Sequence, residues 1–175
     1  ESLFDRFVAE FVRATRSLKL GSALDWSCDV GSLASPKQLA TVTRHIQDAA
    51  AKGVRIEVGG KARPDLGPLF FEPTILEGVS PGMACFGAET FGPVVSVYRF
   101  HDEAEAVARA NDGDYGLNAS IYSQDGRRAR ALAGRIRCGS VNVNEAFFSL
   151  ALVESMYRSA NAHSPVRFDD VIAGM

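Results

Sequence analysis

The sequence predicts an α/β fold built on an open, mostly parallel sheet with flanking helices. Apolar residues at helical spacing alternate along the chain with short runs rich in β-branched residues. The helical segments begin behind candidate N-cap residues, and several end at a glycine. Because helices and strands alternate, the order of elements favours an α/β layer over an all-helical or all-β domain.

Two amphipathic helices are predicted in the first third of the chain. The first begins behind Ser2, a candidate N-cap, and runs for about four turns with Asp5 in its first turn. The second begins at Ser35-Pro36, an N-cap followed by proline at the first helical position, and stops at Gly53. The apolar positions are Phe4, Phe7, Val8, Phe11 and Val12 in the first helix and Leu39, Val42, Ile46 and Ala49 in the second.

Strand patterns follow the second helix. Residues 54–58 alternate strictly and end at Gly59-Gly60, which predicts a short strand. A polar loop over residues 61–68 leads to the apolar run 69–76, where Pro73 predicts a loop or an edge strand. Residues 93–100 predict a strand inside the sheet, because β-branched and aromatic residues dominate them.

The remaining elements continue the alternation. Asp102 is a predicted cap for a helix, and residues 117–122 predict a strand. A basic helix is predicted from Asp125 to about Arg137, ending at Gly139, and residues 140–144 predict a last short strand.

Composition limits the class of protein. The chain has 175 residues, 46% of them hydrophobic, and a formal charge of -2, with 19 basic and 21 acidic residues. We therefore expect a soluble cytoplasmic protein with no nucleic-acid or membrane partner, because long runs of one charge, a signal sequence and a membrane-spanning run are all lacking in the sequence. Widely spaced Cys28, Cys85 and Cys138 predict reduced thiols, and isolated histidines predict no metal site.

The most informative stretch is Ala-Glu-Thr-Phe-Gly-Pro-Val-Val at residues 88–95. A Gly-Pro turn next to a strand can present a carboxylate and a ring at the sheet end where open α/β sheets bind ligands. An alternative interpretation makes Glu89 a surface carboxylate that caps the next turn and Phe91 a core residue.

With its neighbours, this stretch resembles the nicotinamide-facing loop of aldehyde dehydrogenases. From residue 1 to about 148 the chain resembles the C-terminal part of the aldehyde dehydrogenase catalytic domain, most closely in the succinate-semialdehyde dehydrogenase branch. Six segments occur in family order, namely 3–11, 31–35, 53–60 with 73–76, 89–94, 110–117 and 139–144.

The resemblance implies roles for individual residues. Glu89 would accept hydrogen bonds from the nicotinamide-ribose hydroxyls of NAD or NADP, and Phe91 would lie against the nicotinamide ring. Gly92 and Pro93 would form the turn. Leu117 would help to wall the nicotinamide pocket.

The resemblance assigns further roles near the last predicted strand. Asn144 would anchor backbone near the active site, and Glu145, Phe147 and Phe148 would line the aldehyde tunnel and exclude water. The two phenylalanines are alternatively core or interface aromatics. The segment after them departs from the family pattern, so we expect a first region, 1–148, and an atypical tail, 149–175.

The same resemblance implies oxidation of an aldehyde, with succinic semialdehyde as a candidate, to its acid by an oligomeric NAD(P)-dependent enzyme. The family uses a nucleophilic cysteine and a general-base glutamate. Neither catalytic position maps onto this chain, so we expect the isolated 175 residues to be inactive. Cys28 is a poor nucleophile candidate because it lies beside Asp29.

Because the sequence begins with Glu1, we expect it to lie inside a longer polypeptide. The alternative is a non-catalytic remnant that associates with itself or with a full-length relative. Intact mass would distinguish the two, since a separate chain has a mass near 18.8 kDa.

Overall fold

The structure is a computed structural model that describes residues 3–23, 25 and 27–144. The chain divides into two compact units, Glu1–His101 and Asp102–Met175. Both units combine helices with parallel strand pairs, which confirms the predicted α/β class. The helices among the described residues lack the combined length and apolar character needed to cross a bilayer.

A three-stranded sheet forms the centre of the first unit. Its strands are β1 (Arg55–Val58), β2 (Thr74–Glu77) and β3 (Val94–Val97), in the order β1-β2-β3. The β1/β2 pair is antiparallel, and the β2/β3 pair is parallel. Two helices, α1 (Phe4–Ser17) and α2 (Pro36–Ala51), pack against this sheet.

The two helices cover opposite faces of the sheet, because successive β2 side chains point in opposite directions. Ile75 packs in one cluster with Val8 of α1 and Val97 of β3. Leu76 packs in a second, larger cluster with Val42 of α2. The first unit is therefore a helix-sheet-helix sandwich with two apolar layers.

The predicted second helix is confirmed in detail. The Ser35 hydroxyl accepts a hydrogen bond from the Gln38 N–H, and Pro36 occupies the first turn. Such a cap stabilises a helix by about 1 kcal/mol. Gly53 follows the helix with φ +86°, a conformation that side chains other than glycine rarely adopt.

The first helix differs from the prediction in two respects. Leu3 occupies the N-cap position without a side-chain hydrogen bond, and Ser2 lies outside the described residues. Phe7, predicted on the apolar face, is 57% exposed, and its ring lies 5.6 Å from that of Phe11, centroid to centroid. Phe4 packs against the cluster of Val8 as predicted, and the Arg99 guanidinium also lies 4.2 Å from its ring centroid.

The predicted positions of two strands were wrong. β2, expected at an edge or as a loop, is the central strand, and β3, expected inside the sheet, is the outer strand of the described sheet. Pro73 does not disturb β2, because it precedes the first paired residue, Thr74, whose own N–H is available for a hydrogen bond. The outer position of β3 leaves Val95 46% exposed.

The second unit contains α3 (Glu103–Ala110), β4 (Asn118–Ile121), α4 (Gly126–Ala133) and β5 (Ser140–Val143). β4 and β5 form a parallel two-stranded sheet. Asp102 caps α3 as predicted, accepting a hydrogen bond from the Glu105 N–H. The helix predicted to begin at Asp125 does so, and Asp125 caps it by accepting from the N–H groups of Arg127 and Arg128.

The fourth helix is shorter than predicted. It ends at Ala133 with Gly134 at the C-cap, whereas the sequence predicted an end at Gly139. The Arg135 N–H donates to the Leu132 oxygen at 2.9 Å, a tightened last turn that closes the helix.

Asn111, part of one family-like segment, ties the end of α3 to the chain before β5. Its side-chain amide donates to the Arg135 oxygen at 2.8 Å, and its side-chain oxygen accepts from the Arg137 N–H at 2.7 Å. One asparagine thus satisfies two backbone groups, which explains why this residue type occupies the position.

A glycine substitution tests the close approach of β1 and β2. A Cβ on Gly59 would lie 2.1 Å from the Pro73 oxygen, whereas a Cβ on Gly78 would meet nothing within 4 Å, although both glycines have positive φ. We expect Gly78→Ala to destabilise the chain by about 1 kcal/mol through backbone strain alone. Gly59→Ala should lower the free energy of unfolding by roughly 2 kcal/mol more, because the Pro73 backbone would have to move away from the added Cβ. Denaturant titration measures both values, and equal losses would contradict the packing described.

Candidate functional site

The stretch singled out by the sequence, residues 88–93, forms a loop immediately before β3. It therefore lies at the amino end of the parallel pair β2/β3, whereas open α/β sheets usually bind ligands at the carboxyl ends. Among the described strands, β1 is the one whose carboxyl end lies beside the loop, because β1 runs antiparallel to β2. The loop therefore lies at a sheet end, beside the carboxyl end of β1 and the amino ends of β2 and β3.

Backbone hydrogen bonds attach the loop to the sheet. The Thr74 N–H donates to the Pro93 oxygen at 2.7 Å, and the Val94 N–H donates to the Gly92 oxygen at 2.8 Å. The Gly-Pro pair thus makes the turn into β3, as the resemblance implied. Thr74 also accepts from the Gly60 N–H at 2.9 Å through its hydroxyl, which joins the ends of β1 and β2 beside the loop.

One face of α2 holds the other side of the loop. Gln38, Val42 and His45 are spaced i, i+4 and i+7 and therefore share this face. The Gln38 side-chain amide donates to the Phe91 oxygen. A Cβ on Gly92 would lie 2.6 Å from the Val42 Cγ2, so only glycine fits against the helix without movement.

His45 supplies the third contact. Its Nδ1 lies 2.7 Å from the Thr90 hydroxyl oxygen, and its Nε2 lies 3.3 Å from the Arg44 guanidinium. The side chain is buried, with 3% of the residue exposed. Burial lowers the pKa of His45 first, and the charge of Arg44 lowers it further against an opposing effect of Asp48. The imidazole is therefore held in its neutral form at neutral pH.

The two residues that the resemblance assigned to the cofactor project from this fixed loop. Phe91 is 66% exposed, although its backbone oxygen is bound by α2. Glu89 is exposed, and its carboxylate has no hydrogen-bond or ion-pair partner among the described residues. An unpaired carboxylate and an exposed ring on a rigid turn can accept hydrogen bonds from a diol and cover a flat ring.

This exposure bears differently on the alternatives for the two residues. Phe91 is not a core residue of the first unit, since two thirds of its surface is open. Glu89 is a surface carboxylate, as its alternative stated, but its side chain caps no turn within the described chain. Both side chains are thus available to a partner outside the described residues.

Leu117 and Asn144, the other described candidates, belong to the second unit. Leu117 is 88% exposed and directly precedes β4, and its backbone oxygen accepts from the Ser140 N–H at 3.3 Å. Asn144 directly follows β5. Because β4 and β5 are parallel, these two residues lie at opposite ends of the strand pair, roughly 16 Å apart along the strands.

Asn144 anchors the backbone of Ser123 through both groups of its side-chain amide. Its side-chain oxygen accepts from the Ser123 N–H at 2.8 Å, and its side-chain nitrogen donates to the Ser123 oxygen at 2.8 Å. Among the described residues other than glycine, Asn144 is the one with a positive φ (58°). Asparagine tolerates this conformation better than most residues, and the two hydrogen bonds hold it there.

The proposed tunnel residues, Glu145, Phe147 and Phe148, lie outside the described residues, as does the predicted tail 149–175. Cys28, Cys85 and Cys138 are all free thiols. Burial raises the pKa of the Cys85 thiol, which disfavours the nucleophilic thiolate. Within the described chain, no group of three or more His, Cys, Asp or Glu side chains is arranged to hold a metal ion.

Sequence reasoning missed the α2 residues that hold the loop. Gln38 lies 53 positions from Phe91, and His45 lies 45 positions from Thr90. In the sequence, His45 is one of three isolated histidines, which predict no metal site. The one available signal was its place on the inward face of an amphipathic helix, where a histidine needs a hydrogen-bond partner.

Comparisons with known proteins agree with the resemblance. A family model described as "Aldehyde dehydrogenase family" matches residues 1–154. A Mycobacterium tuberculosis protein, whose assigned name is that of an NADP(+) succinate-semialdehyde dehydrogenase, is 51% identical over 147 residues. The match covers 84% of this chain and 28% of that protein, so the chain spans less than a third of its relative's length.

Solved structures give the same result. Succinate-semialdehyde dehydrogenase from Burkholderia pseudomallei matches with a TM-score of 0.77 and 39% identity, covering 82% of this chain and 30% of that one. Betaine aldehyde dehydrogenase from Staphylococcus aureus, solved in complex with NAD+, matches with a TM-score of 0.77 and 35% identity, covering 82% and 29%. These matches confirm the resemblance found in the sequence, and the chain belongs to the aldehyde dehydrogenase family.

Proposed function

We propose that this chain supplies the nicotinamide-facing part of the active site of an NAD(P)-dependent aldehyde dehydrogenase that oxidises succinic semialdehyde. The observation that carries the proposal is the loop at residues 88–93, which α2 and β2 hold so that Glu89 is left unpaired and Phe91 exposed. Two relatives named as succinate-semialdehyde dehydrogenases support the substrate class. The NADP(+) in one of these names and the NAD+ bound to the Staphylococcus aureus enzyme support the cofactor.

The chemistry assigned to this chain is binding and orientation. Two carboxylate oxygens on Glu89 suit the two adjacent hydroxyls of a ribose, because each oxygen accepts one hydrogen bond. Phe91 offers an apolar face to the nicotinamide ring, which limits the ring to one orientation for hydride transfer. The family resemblance assigns Leu117 to a wall of the nicotinamide pocket of the complete enzyme, and Glu145, Phe147 and Phe148 to its aldehyde tunnel.

The catalytic groups are proposed to lie outside this chain. Formation of the acid from the aldehyde needs a nucleophile, a base that activates water and a hydride acceptor. Cys85 is a poor nucleophile because burial raises the pKa of its thiol. We further propose that the complete enzyme is a cytoplasmic homo-oligomer, which three free cysteines suit, since a reducing compartment keeps thiols unpaired.

We expect the isolated 175-residue chain to be inactive. Incubation with succinic semialdehyde and either NAD or NADP, followed by absorbance of the reduced cofactor, should give no rate above that of buffer. A folded full-length relative assayed in parallel controls for the reagents. Turnover that is seen with the purified chain and is lost when the chain is depleted from the sample would show that the catalytic groups are within the chain.

A chimera tests the positive part of the proposal. This chain's residues 3–144 would replace the matching part of the Burkholderia pseudomallei enzyme, with which it shares 39% identity. We expect the chimera to oxidise succinic semialdehyde with reduction of the cofactor. A chimera that assembles like its parent but neither binds cofactor nor turns over would contradict the proposal.

Within an active chimera, Glu89→Gln should raise KM for the cofactor and lower kcat/KM by about tenfold to a hundredfold. The reason is that a hydrogen bond to a charged group is worth roughly 1.5–3 kcal/mol, and glutamine keeps only one acceptor oxygen. Glu10→Gln, on an exposed part of α1, is the matched control and should leave both constants unchanged. Equal effects of the two substitutions would rule out the role of Glu89.

A further inference from the structure

The contact between His45 and Thr90 gives the loop a specific hydrogen-bond donor. The Arg44 guanidinium can only donate, so the His45 Nε2, which it faces at 3.3 Å, must be the acceptor. A neutral imidazole carries one proton, and that proton therefore lies on Nδ1. It follows that Nδ1–H donates to the Thr90 hydroxyl oxygen at 2.7 Å.

The hydrogen bond lies where it can control both candidate cofactor residues. Thr90 stands between Glu89 and Phe91, so fixing its side chain limits the backbone rotation of both neighbours. The Thr90 residue is half-buried, and His45 is buried, so water competes weakly for the bond. The other two contacts of α2 hold only the later part of the loop, at the Phe91 oxygen and at Gly92.

We infer that His45 is a positioning residue of the nicotinamide-facing site, acting through Thr90 to set the direction in which Glu89 and Phe91 project. The inference rests on the proposed function for its catalytic meaning. The hydrogen bond itself, and the order it gives to the loop, are independent of cofactor binding. His45 contacts neither cofactor nor substrate in this account, and its effect is transmitted by one hydroxyl.

A purely structural role for His45 makes a different prediction. If the buried His45–Thr90 contact only fills space between α2 and the loop, a substitution in it weakens the whole first unit, and the loop loses order together with β2. If the hydrogen bond positions the loop, removal of the Thr90 hydroxyl frees residues 89–92 while β2 stays rigid.

The experiment uses the complete 175-residue chain and backbone NMR order parameters. Thr90→Val removes the hydroxyl and keeps the side-chain shape, and Thr90→Ser, its matched control, keeps the hydroxyl. We expect order parameters at residues 89–92 to fall from about 0.85 to below about 0.6 in Thr90→Val and to stay near the original value in Thr90→Ser. Ile75 and Leu76 in β2 should stay near 0.85 in both variants.

Two results would overturn the inference. One is a loop equally ordered in Thr90→Val and Thr90→Ser, and the other is a parallel loss of order in the loop and in β2. A measurement on the unmodified chain covers the case in which Thr90→Val does not fold. At neutral pH the imidazole nitrogen spectrum of His45 should show the proton on Nδ1, and a proton on Nε2 would overturn the inference directly.

The catalytic meaning is tested separately in the active chimera. Thr90→Val should raise KM for the cofactor at least threefold, and Thr90→Ser should restore it to within twofold of the parent chimera. Loss of loop order without any change in KM would overturn the positioning role while leaving the test of Glu89 to decide the proposed function.

Discussion

The contact between one face of α2 and the loop at residues 88–93 is the constraint on which the candidate site depends. A six-residue loop has no fixed geometry of its own, and ordering it costs about 1–2 kcal/mol of backbone entropy per residue. Gln38 binds its backbone, Val42 packs closely against Gly92, and His45 binds its one hydroxyl. Because α2 packs on a buried core, its contacts hold the loop in place relative to the sheet.

This arrangement separates the groups that build the site from those that are offered to a ligand. Buried polar atoms in α2 are all satisfied, and no buried side-chain nitrogen or oxygen in the described chain lacks a partner. Glu89 and Phe91, by contrast, are exposed and held only through their backbone and their neighbours. A side chain without an internal partner on a rigid support can form its strongest contacts with a ligand, at little cost in ordering.

Local features of the fold could be predicted from the sequence, and pairing between distant segments could not. Ser35 and Asp102 cap helices as predicted, and a helix begins at Asp125 as predicted, because capping involves residues two or three positions apart. The central position of β2 was missed because strand order depends on partners far along the chain. The extent of α4 was overestimated because Gly134 ends it where the basic pattern continues. In the site, residues 89–93 were found from their own pattern, whereas His45 emerged only from a contact across 45 positions.

The central claim is that the α2-held loop presents Glu89 to the ribose of a nicotinamide cofactor. A crystal structure of the active chimera with bound NADP tests it most directly. The account predicts both carboxylate oxygens of Glu89 at about 2.5–3.0 Å from the two hydroxyls of the nicotinamide ribose. A bound cofactor whose nicotinamide ribose is held by other groups, with Glu89 directed into solvent, would contradict it.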